Sequence, residues 1–173
     1  MRTAAKISIL GIFAIFVSLI ATTSVFAAVQ LPAGMKVKVQ FVQDVSSKYV
    51  KPGDVVPIKL VDNIGVGGIT LVKAGAAGTA RVVSVKKAGK PGKPGSVEVE
   101  LVDLTPEGSY KTLDGSKIQL EAVDGPIIAN GKSKKTMSWL LIFGLFIKGT
   151  EGVIPAGHVV DATVKNDVMI SVE

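Results

Sequence analysis

The sequence predicts an all-β fold, a single barrel or sandwich of about eight short strands with one apolar excursion near the C-terminus. Short runs of apolar residues alternate with polar ones at a period of two, and Gly, Pro, Asn and Asp punctuate them. No long segment carries apolar residues at the 3.6-residue spacing of a helix.

Residues 1–27 read as a secretion signal peptide. Arg2 and Lys6 supply the positive start, Ile7 to Ile20 the apolar centre, and Val25-Phe26-Ala27 the small residues that precede a cleavage point. Removing these 27 of the 173 residues leaves 146, a length suited to one β domain over 28–173. An uncleaved anchor is the alternative, because the apolar run is nearly long enough to span a bilayer. No Cys lies near the cut, which argues against a lipoprotein. A domain of this size buries roughly two-thirds of its unfolded surface and needs no disulfides. Arg2 and Lys6 carry two of the +6 formal charges, so the mature chain is +4. That mild excess suits anionic lipid or polymer, and nothing in it argues for nucleic acid.

Met35 to Phe41 alternates strictly, so Val37, Val39 and Phe41 face a core and Lys36 and Lys38 face water. Val97 to Val102 does the same, with Val97, Val99 and Leu101 inward and Glu98 and Glu100 outward. The other strand candidates are Val56–Val61, Ile69–Val72, Thr79–Val85, Ile118–Val123, Val159–Val164 and Val168–Val172. Lys51-Pro52-Gly53-Asp54, Asn63 to Gly68, Pro106-Glu107-Gly108, Asp114-Gly115 and Asp124-Gly125-Pro126 are turns between them. One pattern recurs: Leu31-Pro32-Ala33-Gly34, Val72-Lys73-Ala74-Gly75 and Ile154-Pro155-Ala156-Gly157 each precede a strand. These predict equivalent corners of one barrel, tight turns with Pro at the second position and Gly at the fourth.

Two segments stand outside this alternation. Lys86 to Gly95 is rich in Lys, Gly and Pro and reads as a mobile hairpin loop whose Lys86, Lys87, Lys90 and Lys93 are the candidate anion-binding residues. The plainer reading is a solvated tip. Met137 to Ile147 is a largely apolar stretch containing the chain's one Trp, flanked by Lys132, Lys134, Lys135 and Lys148. As a helix it would extend only about 16 Å, half a bilayer core, and it lacks the alternation of a membrane-barrel strand. It either completes the core or projects from the domain. Lysines and an interfacial Trp both anchor well at a head-group boundary, which favours projection. Trp139, Leu140, Leu141, Phe143, Leu145 and Phe146 are therefore the candidate residues for contact with a membrane or with sister subunits of a homo-oligomer.

No catalytic, metal-binding or cofactor signature emerges. The chain has one His (His158) and no Cys, and its Asp residues lack calcium-loop spacing. Ser46, Ser47 and Lys48 suggest a hydroxyl–lysine dyad only weakly, because adjacent residues in extended chain point to opposite faces. Gly65-Val66-Gly67-Gly68 is too short for a phosphate loop.

Leu31-Pro32-Ala33-Gly34-Met35-Lys36-Val37 resembles the start of the β-barrel domain in the outer-membrane scaffold subunit of type IV secretion and conjugation machines. Leu71 to Gly75 is similar to that family's second corner, with a different residue order. Met137 to Ile147 occupies the place of the family's membrane-crossing antenna and is followed by Ile154-Pro155-Ala156-Gly157. The resemblance spans most of residues 31–173 and implies a barrel carrying an apolar membrane-facing excursion. The chain differs from that family in its signal peptide, which stands in place of a cytoplasmic segment, transmembrane helix and Pro-rich linker. Together these readings predict an exported, non-enzymatic envelope protein, periplasmic or outer-membrane-associated. It acts through 137–147 on a membrane or an envelope protein, or alternatively through the Lys-rich loop on an anionic polymer or lipid. A hydrolase with a cryptic site is the remaining alternative.

Overall fold

The computed structural model describes residues 27–90, 92–106, 110–133 and 148–172. It is all-β. Along the chain run β1 (Ala27–Leu31), β2 (Lys36–Phe41), β3 (Val45–Ser46), β4 (Val55–Leu60), β5 (Ile64–Val66), β6 (Ile69–Val72) and β7 (Ala77–Lys86). There follow β8 (Ser96–Leu104), β9 (Tyr110–Thr112), β10 (Ile118–Ala122), β11 (Ile127–Asn130), β12 (Val153–Ile154), β13 (Val159–Val164) and β14 (Val168–Val172). Among the described residues no helix is long and apolar enough to cross a membrane.

Six strands close a barrel in the order β10-β13-β2-β4-β7-β8, and β8 returns to β10 through Ile118↔Leu104 and Gln119↔Asp103. Every pairing in it is antiparallel. β11 continues along β8 beyond β10, and β1-β14-β9, β12-β3 and β5-β6 form small outlying sheets. All eight segments expected from the alternation are strands. Six of them build the barrel, whereas Ile69–Val72 pairs in a hairpin with β5 and Val168–Val172 lies between β1 and β9.

Alternation decides which side chains fill the barrel. Val37, Val39 and Phe41 of β2, Val56, Ile58 and Leu60 of β4, and Val97, Val99 and Leu101 of β8 are buried. Lys36 and Lys38 are exposed, as is Glu100, while Glu98 is half-buried. A six-stranded barrel is narrower than the eight-stranded kind whose interior side chains just fill, so small residues recur inside it. Ala80 and Ala162 are fully buried. At Gly78 a Cβ would lie 2.6 Å from the Asp103 carbonyl oxygen and 3.1 Å from Ile58.

The recurrent corners open β2, β7 and β13, and Lys51-Pro52-Gly53 opens β4 in the same way. Their turn register differs from the expected one. The N–H of His158 donates to the Pro155 carbonyl and that of Ala76 to the Lys73 carbonyl, so glycine is third in the turn. Gly157 has φ 81° and Gly75 φ 93°, the positive value a type II turn requires at that position. The same glycines start β-bulges. The Gly157 N–H donates to the Phe41 carbonyl at 2.8 Å, and the Phe41 N–H to the His158 carbonyl at 3.0 Å. Gly34 and Met35 make the same pair with Val164, Gly75 and Ala76 with Leu60, and Gly53 and Asp54 with Val82.

Three of these corners are also pinned by a side chain. Asp167 Oδ1 accepts from the Ala33 N–H, Asp44 Oδ1 from Ala156 and Asn63 Oδ1 from Ala74, each at 2.7 Å. β2 and β13 thereby lock each other: Asp44, just past β2, holds the corner that opens β13, and Asp167, just past β13, holds the corner that opens β2.

We expect Asp167→Ala to cost about 1 kcal/mol, the net worth of one such hydrogen bond. Gly157→Ala should cost about 1–2 kcal/mol by placing a Cβ at positive φ. Both appear as lower urea midpoints at unchanged slope, and an unshifted midpoint for Asp167→Ala means the corner needs no pin.

Candidate surface-binding site

Lys86 ends β7, and Lys87, Lys90 and Lys93 follow on the connection to β8; all four are exposed. The connection is not a free hairpin tip. Gly89 and Lys93 exchange two backbone hydrogen bonds at 3.0 Å, and Ala88, Gly92 and Gly95 are buried. The lysine side chains are presented by a tethered backbone.

That tether is made by the chain on either side of the apolar stretch. The Gly131 N–H donates to the Gly95 carbonyl at 2.8 Å, and the Gly95 N–H to the Thr150 carbonyl at 2.9 Å. The Gly149 N–H reaches the Gly89 carbonyl at 3.2 Å, and Ser133 Oγ donates to the Gly92 carbonyl at 3.2 Å. The two legs also bond each other: the Thr150 N–H donates to the Lys132 carbonyl, and the Lys132 N–H to Thr150 Oγ1. Trp139, Leu140, Leu141, Phe143, Leu145 and Phe146 lie outside the described residues. The described ends of their segment, Gly131 to Ser133 and Lys148 to Gly152, are fastened to the Lys-rich loop.

Glycine makes the fastening sterically feasible. A Cβ on Gly131 would lie 1.9 Å from the Thr150 carbonyl oxygen, and one on Gly149 would lie 2.1 Å from that of Lys93. At Gly95 it would meet Ser47 Oγ at 2.6 Å and Glu151 Oε2 at 2.7 Å.

Beneath this junction sits one carboxylate. Glu151 Oε2 accepts from Ser47 Oγ at 2.7 Å and from the Ala88 N–H at 2.9 Å, while Oε1 accepts from Lys148 Nζ at 3.0 Å. Ser47 Oγ in turn accepts from the Gly152 N–H at 3.1 Å, and Ser47 is fully buried. The Ala88 N–H bond leads, with those of Ser47 and Lys148, in holding the Glu151 pKa down at about 2 against an ordinary 4.5. Glu151 therefore ties three segments together: the end of β3, the Lys-rich loop and the second leg. Over residues 86–95, 131–133 and 148–152 it is the single carboxylate against Lys86, Lys87, Lys90, Lys93, Lys132 and Lys148. Of these lysines, Lys148 pairs with Glu151 at 3.0 Å.

Elsewhere the geometry offers little chemistry. Ser47 faces inward to Glu151 while Lys48 is exposed, so the two point apart. Lys48 Nζ lies 4.9 Å from the Tyr49 ring centre, and its pKa is raised, chiefly by a hydrogen bond to Tyr49, the wrong direction for a general base. His158 is exposed beside Phe41, with ring centres 6.4 Å apart. Among the described residues no cluster of His, Cys, Asp and Glu could hold a metal ion. A groove of about 530 Å³ runs along Met35, Lys36, Lys38, Asp62, Ile64 and Asp161, with opposite charges mixed along it.

Sequence reasoning finds the four lysines and the apolar stretch, and Ser47 only as half of a weak hydroxyl–lysine dyad, but not Glu151 or the junction. The available signal is the density of glycine in both segments (Gly89, Gly92, Gly95, Gly131, Gly149 and Gly152). No protein-family model matches the chain, and no curated protein matches it.

Ser47→Ala removes a donor to a carboxylate and leaves the Gly152 N–H without its acceptor; we expect a loss of about 1–3 kcal/mol. Because Glu151 has a depressed folded pKa, its stabilisation is full above pH 4.5 and fades as pH falls towards about 2. Glu151→Gln should lower the urea midpoint at neutral pH and flatten its decline across that window. A variant that declines as steeply as the parent places the titration in other groups.

Proposed function

We propose that this chain is an exported, non-enzymatic envelope protein that seats against an anionic membrane surface, with the barrel as a rigid base. The observation that carries this reading is the hydrogen-bonded junction between the Lys-rich loop and both legs of the apolar stretch. It holds the loop that carries the cations against Gly131 to Ser133 and Lys148 to Gly152, the described ends of the segment whose sequence contains Trp139. Lys134 and Lys135 add two more charges in the sequence of that segment.

The physical argument is that either determinant alone is weak. A single apolar anchor binds a membrane only marginally, and stable attachment takes a second contribution such as a polybasic patch. Each Lys near an anionic surface contributes up to about 1 kcal/mol, and each inserted Leu or Phe side chain about 1.5–3 kcal/mol. Within a Debye length the two act on one surface. Contact between sister subunits, as the resemblance to the type IV scaffold barrel implies, is the competing use of the same apolar residues.

Flotation of the mature chain with lipid vesicles tests the reading, and Trp139, the chain's one Trp, reports insertion directly. Binding should be strong to vesicles containing phosphatidylglycerol, weak to phosphatidylcholine alone, and reduced by salt. Trp139 emission should shift blue on binding. Lys86, Lys87 and Lys93 changed together to Gln should weaken it by roughly 10- to 100-fold without altering the urea midpoint. Deleting 137–147 should abolish flotation and leave a folded barrel. A Trp139 emission that is already blue and ignores vesicles, or a deletion that unfolds the domain, makes the stretch core and ends the proposal.

A further inference from the structure

Strand β1 starts at Ala27, the residue on the amino side of the bond that the sequence marks for signal cleavage. Its ladder with β14 runs Ala27↔Val172, Ala28↔Ser171, Val29↔Ile170, Gln30↔Met169 and Leu31↔Val168. Leu31 and Ile170 are fully buried and Val168 is 7% exposed, so this is a packed strand rather than a loose tail. The bond between Ala27 and Ala28 thus lies inside a β-ladder of the folded domain.

An endopeptidase that cuts extended chain pairs with its substrate's backbone and needs the segment on both sides of the bond lifted clear of its neighbours. In the folded domain one edge of that segment is already committed to β14. We infer that the Ala27–Ala28 bond is open to hydrolysis only until β1 docks on β14, so that folding closes the processing window and leaves any uncut chain tethered by its leader. The step itself is simple hydrolysis by a membrane-bound signal peptidase. Water adds across the amide, the C–N bond breaks, and Ala27 keeps the carboxylate while Ala28 gains the α-ammonium.

The topology sets the order of events. β14 is the last strand among the described residues, and its partner β1 directly follows the leader. Their ladder has the longest sequence separation in the fold, from residues 27–31 to residues 168–172, and the entropy of closing so long a loop is met only when the rest of the barrel holds the ends together. While the chain is being exported β14 has yet to cross, and the bond stays exposed. Cleaved and anchored forms then arise from one sequence by the relative rates of cutting and folding. The inference rests on the export reading above.

The test uses the full precursor in detergent with purified signal peptidase, presented either freshly diluted from urea or fully refolded. The unfolded form should be cut between Ala27 and Ala28, and the folded form at least about tenfold more slowly, since cutting then waits on local opening of β1. A six-residue Gly/Ser spacer inserted between Ala28 and Val29 moves the bond outside the ladder. The folded spacer precursor, checked by its urea midpoint, should be cut about as fast as the unfolded parent. Equal rates for folded and unfolded parent, or a folded spacer precursor that still resists, overturn the inference. An unfolded precursor that is not cut at this bond overturns the export reading and the inference with it.

Discussion

A closed barrel of six antiparallel strands depends on register, because a slip of one residue turns a whole strand's apolar set outward. Here the register of the two barrel neighbours most separated in sequence, β2 and β13, is set at both ends by the same device. Gly157 and His158 bracket Phe41 at one end, and Gly34 and Met35 bracket Val164 at the other. Each bracket is a type II turn whose glycine doubles as the first residue of a bulge. A shift in register would therefore break the turn as well as the ladder. Asp44 and Asp167 tie each corner to the far end of the partner strand. The hydrophobic interior of Phe41, Val39, Ala162 and Val164 follows from that alignment.

The barrel leaves little room inside for function. Its interior is filled by side chains, and where Gly78 meets Ile58 and Leu104 even a methyl group would crowd. Chemistry has to be sought on the outside, at connections long enough to depart from the ladder. Two such connections converge on Glu151. The low pKa of that carboxylate is a consequence of its position: a backbone N–H from one loop, a hydroxyl from another and an ammonium from its own segment all stabilise the charge. Those partners also make it a poor base, which is why the most perturbed carboxylate in the described chain reads as a fastening.

The parts of the fold legible in the sequence are those with one wet face. Lys36 to Phe41 and Val97 to Leu101 alternate because water lies on one side and the core on the other. β3 and β12 are two residues long, too short for any periodicity, and β1 hides in the small-residue stretch that reads, by its sequence, as a cleavage site. The repeated Pro-Ala-Gly shows that corners recur. Its continuation is subtler: Gly34, Gly53 and Gly157 are each followed ten residues later by Asp44, Asn63 and Asp167. That spacing carries a meaning only once the structure pairs each acidic or amide side chain with a corner it does not adjoin. The junction is hidden for the same reason. Glu151 and Ala88 are 63 residues apart, and no local pattern announces their contact.

In the proposed surface binding, fastening matters because both determinants are individually weak. Lysines on a free tip would surrender backbone entropy each time they met a surface, about 1–2 kcal/mol for each residue ordered. A loop already bonded at Gly89, Gly92, Gly95 and Lys93 has met most of that cost during folding. The legs of the apolar segment are likewise held together at Lys132 and Thr150, so its described ends are already closed on each other. Gly131, Gly149 and Gly152 in the legs are irreplaceable for a steric reason, with carbonyl oxygens standing where a Cβ would go. On the proposed reading, a base that holds the cations beside the two described ends of the apolar segment turns two marginal attractions into a single directed one.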